Sequence, residues 1–517
     1  MDLGAKIREN AQAFPGKAAV VFQDKVTTYH ELNERAARCA NALVSLGLGR
    51  KDRVAVLLRN RPAFLEVLYG LVKAGMTLVP VNWRLASEEM RYIIDNSESS
   101  AMVVSRDFLD KFRAIRNDLT RIPAGRTVCL DERAPAGMHA YEDLLAGASA
   151  AEPGMRNDPK DPFFIGYTSG TTGLPKGAVN PHGDWDLKSA GLSAIFRVKE
   201  TDVQLLAMPL FHANALSSST IGHYAGQTVV LMERFEPEEA LRLIDRHKVT
   251  FSSMVPTMFN RIRNLPAEVF RKYDVSSLTC LVQSSAPIPF ATKRWIIASF
   301  PNVGLHEFYG GTEVGVATYL PPEEQLSKPG SVGKALPAVE IKLVDEGGRE
   351  VPEGETGQIV MRPMAGVPIR MATEYYKDAE GSRRSFRDGW FYTGDLAYRD
   401  REGYYYLVDR KFDMIISGGE NIYPAEIEAV LHKHPGVLEA AVFGVPDEDW
   451  GESVKAMVVR KSGEMLTADE ITRYCREHLA GYKVPRSVHF MEELPKTETG
   501  KVLKKVLKAP YWKGRGV

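Results

Sequence analysis

The strongest constraint on the fold is a repeated exchange between two periodicities along residues 28–104. Residues 28–46 bring Leu32, Ala36, Cys39, Ala40 and Leu43 onto one stripe, which predicts an amphipathic helix. Residues 54–58 then run Val-Ala-Val-Leu-Leu, short and apolar throughout, as a buried strand does. The exchange recurs: helix over 62–74, strand over 76–81, helix over 88–96, strand over 101–104. Strands that alternate with helices build α/β layers around a parallel sheet.

A second series follows, with strands predicted at 203–208, 228–232, 251–255 and 278–283 and a helix over 237–247. Residues 131–161, rich in Ala, Gly and Pro, read as a loop leading into the glycine- and hydroxyl-rich stretch at 167–177. From 330 to 361 the pattern turns to short strands and turns, which predicts a small antiparallel barrel or sheet. Past Asp409-Arg410-Lys411 the chain restarts with a helix from Pro424 and strands at 440–445 and 454–459. Thr467 and Glu470 form a capping box ahead of a helix carrying Ile471, Tyr474, Cys475 and Leu479. The expected fold is therefore α/β. A large N-terminal domain (residues 1–409) holds two doubly wound subdomains and a small β-barrel, and a small α+β domain occupies residues 410–517.

At 517 residues the chain is too long for one core. Lys+Arg and Asp+Glu both total 66, so charge gives no reason to expect a nucleic-acid partner. The four cysteines (Cys39, Cys129, Cys280 and Cys475) lie far apart, as reduced structural thiols of a cytoplasmic protein do. The N-terminus lacks the apolar core of a signal peptide, and no apolar run reaches membrane-spanning length.

One loop concentrates phosphate chemistry: Tyr167-Thr168-Ser169-Gly170-Thr171-Thr172-Gly173-Leu174-Pro175-Lys176-Gly177. Glycines let backbone N–H groups converge on an anion, hydroxyls add donors, and Lys176 adds a mobile charge. The buried run Phe163-Phe164-Ile165 gives the loop a rigid base. It is not a Walker A loop, because Pro175 and Gly177 flank the lysine. Residues 178–183 continue as a short strand and a turn instead of a phosphate-binding helix.

The loop resembles the signature of the adenylate-forming superfamily, which includes acyl-CoA synthetases, luciferase and peptide-synthetase adenylation domains. Further motifs resemble that family in the same order along the chain. Phe308-Tyr309-Gly310-Gly311-Thr312-Glu313 is similar to its Tyr-Gly-x-Thr-Glu motif. The resemblance implies that Tyr309 stacks on adenine, Thr312 meets the α-phosphate, and Glu313 with Thr168 holds Mg²⁺. Ser284-Ser285-Ala286-Pro287 stands where the family has Gly-Gly-Ala-Pro beside adenine and the acyl pocket, so two serines replace two glycines. Asp395 of Tyr392-Thr393-Gly394-Asp395 would accept both ribose hydroxyls, and Arg410 would contact ribose and phosphate. Phe412 occupies the hinge position that is usually Asp or Lys.

By the same resemblance Ser417-Gly418-Gly419-Glu420-Asn421 is the turn past which a pantetheine arm slips. Lys501 of Pro495-Lys496-Thr497-Glu498-Thr499-Gly500-Lys501 would be the catalytic lysine that bridges carboxylate and α-phosphate. His212 and Ser284 would line the acyl pocket. The nucleotide set is then Thr168, Ser169, Gly170, Thr171, Thr172, Gly173, Lys176, Ser285, Ala286, Pro287, Tyr309, Gly310, Thr312, Asp395, Arg410 and Lys501. The implied activity is ATP-dependent acyl-CoA synthesis through an acyl-adenylate, with ATP, Mg²⁺ and coenzyme A, on a fatty acid first of all. The chain is most similar to bacterial fatty-acyl and carnitine-type CoA ligases, and a homodimer is compatible with that family. Aryl-CoA, bile-acid-CoA and carnitine-type ligases, or a ligase that loads a carrier protein, are the alternatives. A non-enzymatic nucleotide-binding protein would have no use for Lys501.

Overall fold

The computed structural model describes residues 2–512, apart from 124, 131–132, 156, 169–173, 286–287, 289, 346, 366–370, 373, 411–414, 423, 462, 496–501 and 503. At 408–410, 421, 425 and 505 it describes the backbone alone.

Four sheets organise the described residues. The first series of strands forms a seven-stranded sheet with Arg53–Leu57 between Thr77–Pro80 and Ala101–Val104, all parallel. Pro162–Thr168 extends it in parallel, and Lys176–Pro181 returns antiparallel at the edge. The carboxyl end of the parallel strand Pro162–Thr168, with Thr168 as its last residue, is the end of an open α/β sheet at which ligands bind. The second series forms a nine-stranded sheet in which Val203–Leu206, Phe251–Met254, Cys280–Gln283 and Gly304–Gly311 run parallel. Gly315–Leu320 then turns back antiparallel on Gly304–Gly311. An N-terminal hairpin, Ala18–Phe22 with Lys25–Thr28, completes the far edge of this second sheet.

Between these sheets the Pro62–Lys73 helix buries ten of its twelve residues. A helix covered all round must pair its polar groups. Glu66 accordingly meets Arg35 at 2.8 Å and accepts from the Tyr141 hydroxyl, while Lys73 reaches Glu152 at 2.7 Å. The Tyr29–Ser45 helix packs closely against it. A Cβ on Gly70 would lie 2.9 Å from the Cys39 side chain.

Val339–Val344, Gly357–Pro363, Trp390–Arg399, Phe386–Arg387 and Tyr405–Arg410 make a five-stranded antiparallel sheet. It stands where the small barrel is expected and forms a half-barrel. Its Tyr405–Arg410 edge is covered by residues 331–333, where Val332 N–H donates to the Tyr405 carbonyl. The last sheet holds Val437–Asp447 and Gly451–Arg460 as a long hairpin, with Ser487–Met491 parallel to the second strand. Thr467 and Glu470 form the capping box expected of them.

Two local expectations change. The turn after residue 180 is replaced by a helix, His182–Ile195, that starts directly from the strand. Its Trp185 anchors it on Phe163 and Phe164, with ring centroids at 5.2 and 5.5 Å. Residues 131–161 contain a short strand, His139–Ala140, and the Tyr141–Ala146 helix, held by the buried Tyr141. Among the described residues no helix is long and apolar enough to cross a membrane.

Candidate active site

The edges of the two large sheets meet at one point. A Cβ on Gly166 would come within 2.6 Å of the Thr312 methyl group, so only glycine lets the Pro162–Thr168 strand approach the second sheet here. The motif from Tyr309 lies on the hairpin that Gly304–Gly311 forms with Gly315–Leu320. A Cβ on Gly310 would fall 1.8 Å from the Gly315 carbonyl oxygen, so the hairpin requires glycine at that position.

A cavity of about 640 Å³ opens at this junction. Thr168, Lys176, Tyr309, Gly310, Thr312, Glu313 and Asp395 line it, together with Ser285 and His212. Gly418 and Gly419, from the last sheet, line it too. Ser284 and Ser417 do not. Ser284 is buried at 1% exposure, and Ser417 is buried in its strand, paired with Gly451. Both lie beside a lining residue, with their side chains turned into the fold. Arg410 lies opposite Asp395 in the strand register. Ser169, Gly170, Thr171, Thr172, Gly173, Ala286, Pro287, Phe412 and Lys501 lie outside the described residues.

Glu313 is half-buried, and burial raises its carboxyl above the ordinary range. Thr168 Oγ1 stands 3.3 Å from Glu313 Oε1, and the Tyr375 hydroxyl donates to the same oxygen at 3.0 Å. A desolvated carboxylate beside a hydroxyl is a hard oxygen pair, which fits Mg²⁺ bound largely through waters and phosphate oxygens. Tyr375 was not found by sequence reasoning, because it lies 62 positions from Glu313 in a stretch without a motif. The Tyr309 hydroxyl donates to Asp395 Oδ2 at 2.6 Å, which ties the second sheet's hairpin to the antiparallel sheet. Lys176 lies over the Tyr375 ring, with its ammonium 3.5 Å from Asp378.

Ser285 adopts φ of +70°, a conformation that glycine takes without strain. Asn214 holds it there, donating to the hydroxyl at 2.9 Å and also to Ser284. The Ser-Ser pair therefore keeps a glycine-like backbone with a side-chain tether.

Above the cavity, His212 Nε2 lies 3.3 Å from Glu420, and Arg84 pairs with the same carboxylate. Burial, aided by the Arg84 charge, pushes the His212 pKa down to about 3. The ring is neutral at physiological pH, and its contact with Glu420 is a hydrogen bond and not an ion pair. These contacts bring the glycine turn of the last sheet onto residues of both large sheets.

Residues 7–369 match the family model for AMP-binding enzymes, and residues 426–501 match the model for the AMP-binding enzyme C-terminal domain. A long-chain-fatty-acid–CoA ligase of Mycobacterium tuberculosis is 36% identical over 513 residues, which is 99% of this chain and 98% of the relative. A feruloyl-CoA synthase of Amycolatopsis is 36% identical over 97% of both chains. A double mutant of the o-succinylbenzoate CoA synthetase of Bacillus subtilis, solved with a product analogue, matches with a TM-score of 0.85 at 30% identity over 98% of both chains. The same synthetase with its acyl-adenylate intermediate matches at 0.69, with 31% identity over 97% of both chains. From matches that span both parts of the chain, the protein belongs to the AMP-binding enzyme family and is an AMP-forming acid–thiol ligase.

Proposed function

We propose that this ligase activates an organic acid with an apolar body, a fatty acid or an aryl acid, and passes the acyl group to coenzyme A. A carboxylate oxygen attacks the α-phosphorus of ATP, the bond to pyrophosphate breaks, and acyl-AMP forms. The thiol sulfur then attacks the acyl carbon, giving up its proton as AMP leaves. What supports this reading above all is that Thr168, Tyr309, Glu313, Asp395 and Gly419, drawn from all four sheets, border one cavity.

In this reading Tyr309 takes the adenine face and Asp395 accepts from the ribose hydroxyls. The loop at 169–173, Lys176, Thr312, Ser285, Ala286, Pro287 and Arg410 surround the phosphates and the nucleoside. Glu313 and Thr168 would hold Mg²⁺, which when bound neutralises phosphate charge as pyrophosphate departs. Lys501 steadies the charge that builds between carboxylate and α-phosphorus, where a cation acts more on the transition state than on the ground state. Gly418 and Gly419 leave room for the pantetheine arm.

We place the domain division at residues 409 and 410, with the smaller part turning between two orientations. Two observations support the thioester-forming orientation here. The Gly418–Gly419 turn borders the cavity, and the similarity is greater to the product-analogue complex (TM-score 0.85) than to the acyl-adenylate complex (0.69) of one synthetase.

The test is Lys501→Ala. It should abolish pyrophosphate release from acid and ATP yet still convert synthetic acyl-AMP plus coenzyme A to thioester. Equal loss of both steps, or ADP instead of AMP as product, refutes the reading.

A further inference from the structure

The acid end of the cavity is walled largely by apolar side chains, including Trp185, Leu192, Met258, Phe308 and Val316. One cation stands among them. Lys188 lies on the His182–Ile195 helix, three residues after Trp185 and four before Leu192, so the three share a helix face, and all three line the cavity. Its stem runs across the turn that follows Glu313. A Cβ on Gly315 would meet Lys188 Cε at 2.8 Å and Nζ at 3.2 Å. Glycine at 315 therefore gives the lysine its path into the cavity.

The other basic residues deep in this wall are matched by carboxylates. Lys176 faces Asp378, Arg84 faces Glu420, and Lys483 faces Glu89 and Glu426. Lys188 makes no ion pair or hydrogen bond among the described residues, and its ammonium lies 5.8 Å from the centre of the Trp185 ring. Asp184, one turn earlier on the helix, acts on it only through its field. Burial lowers the pKa of this ammonium, and Asp184 opposes the shift.

An ammonium held in an apolar wall without an acceptor is costly, and the cost is recovered when a ligand brings one. A plain alkyl chain would displace water from Lys188 and return nothing. We infer that Lys188 reads a second oxygen acceptor on the body of the acid, and that an anionic oxygen is preferred. The favoured substrate then carries a carboxylate, phenolic or keto oxygen in addition to the carboxyl group that is activated. This rests on the acid–thiol ligase reading and narrows it from apolar acids in general to oxygen-bearing ones. Lys188 is thereby a specificity residue, distinct from the charges that serve the nucleotide.

The experiment measures kcat/KM for pyrophosphate release, with ATP, Mg²⁺ and coenzyme A present. It uses matched pairs of acids that differ only in a distal carboxylate, hydroxyl or keto group. The wild-type enzyme should favour the oxygen-bearing member by at least about tenfold, the size of one hydrogen bond to a charged group. Lys188→Met should erase that preference, chiefly through KM, and keep or improve turnover of the plain acid. Lys188→Arg should retain it. A preference of the wild-type enzyme for the plain acids overturns the inference, whatever the variants do. So does Lys188→Met losing both members equally, because the lysine would then act on the reacting carboxyl group. Release of pyrophosphate with none of the acids would instead refute the ligase reading itself.

Discussion

Glu89 and Lys483, 394 positions apart, meet at 2.6 Å and join the first sheet's Ser87–Asn96 helix to the C-terminal part of the chain. Glu89 also accepts the Ala86 and Ala480 backbone N–H groups at 2.8 and 2.9 Å. On its other side Lys483 meets Glu426, again at 2.6 Å. Two carboxylates share one buried ammonium, so the cluster carries one negative charge too many. Burial lifts Glu426 to about 7, Lys483 pulls it down, and Glu89 pushes it further up. As a carboxylate, Glu426 leaves its second oxygen without a donor, whereas a proton there can be shared with Glu89.

The sign of the pH effect follows. The folded chain holds a proton on Glu426 that the unfolded chain, near 4.5, has already lost. The penalty is therefore complete above about 7, and stability is recovered as pH falls from there toward 4.5. Glu426→Gln carries the hydrogen permanently. Its melting temperature should exceed that of the wild type at about pH 8, and the gap should close as pH falls through this window. A variant that melts lower than the wild type at every pH would show that the charge of Glu426 is needed.

At the other end of the cavity, Tyr375 and Thr168 both point their hydroxyls at Glu313 Oε1. If Glu313 holds Mg²⁺, Glu313→Gln should raise the Mg²⁺ concentration needed for half-maximal pyrophosphate release by more than about tenfold. Tyr375→Phe should raise it less than Glu313→Gln does, because Tyr375 only orients the carboxylate that would hold the ion. A metal titration unchanged in Glu313→Gln removes that residue from the ion's surroundings.

The alternation of periodicities between residues 28 and 104 carries the parallel sheet into view because each strand there is covered on both faces. The Ala213–Ala225 helix escapes the same reading. Its Ser217, Ser218, Ser219 and Thr220 interrupt any apolar stripe, although eight of its residues are buried. Trp185 donates to Thr220, and Ser218 accepts from Gln204, so this helix is packed through hydrogen bonds that a hydropathy pattern cannot register. The motifs around Thr168, Tyr309 and Asp395 are legible because the backbone chemistry of a phosphate or a hairpin restricts local residue types. Tyr375, Glu89 and Lys483 are not, since each acts through a partner distant in sequence, and Lys188 is not, since only the folded wall around it sets it apart from other lysines.

Gly310 tests the hairpin through stability, a readout separate from activity. With its Cβ position 1.8 Å from the Gly315 carbonyl oxygen, Gly310→Ala has no flexible neighbour to push aside. Overpacking against backbone should cost about 1–3 kcal/mol or more in urea unfolding. A loss below about 0.5 kcal/mol, ordinary for a harmless substitution, would mean that the hairpin is not paired as described.

A substitution in the glycine turn should separate the two half-reactions. Gly418 and Gly419 have φ of +59° and +81°, where a side chain is strained, and both border the cavity. A Cβ on Gly418 would fall 2.5 Å from the Trp450 ring, so substitution there disturbs the turn itself. A Cβ on Gly419 would lie 3.2 Å from the Val255 methyl group, which leaves a larger side chain only the cavity to enter. Gly419→Leu should therefore obstruct the thiol's approach more than the nucleotide. Thioester formation from synthetic acyl-AMP should fall by at least about tenfold, while pyrophosphate release in a single turnover without coenzyme A stays within about twofold of the wild type. Parallel loss of both rates would place the turn in the adenylate-forming step, and an unchanged thioester rate would leave the thiol another way in.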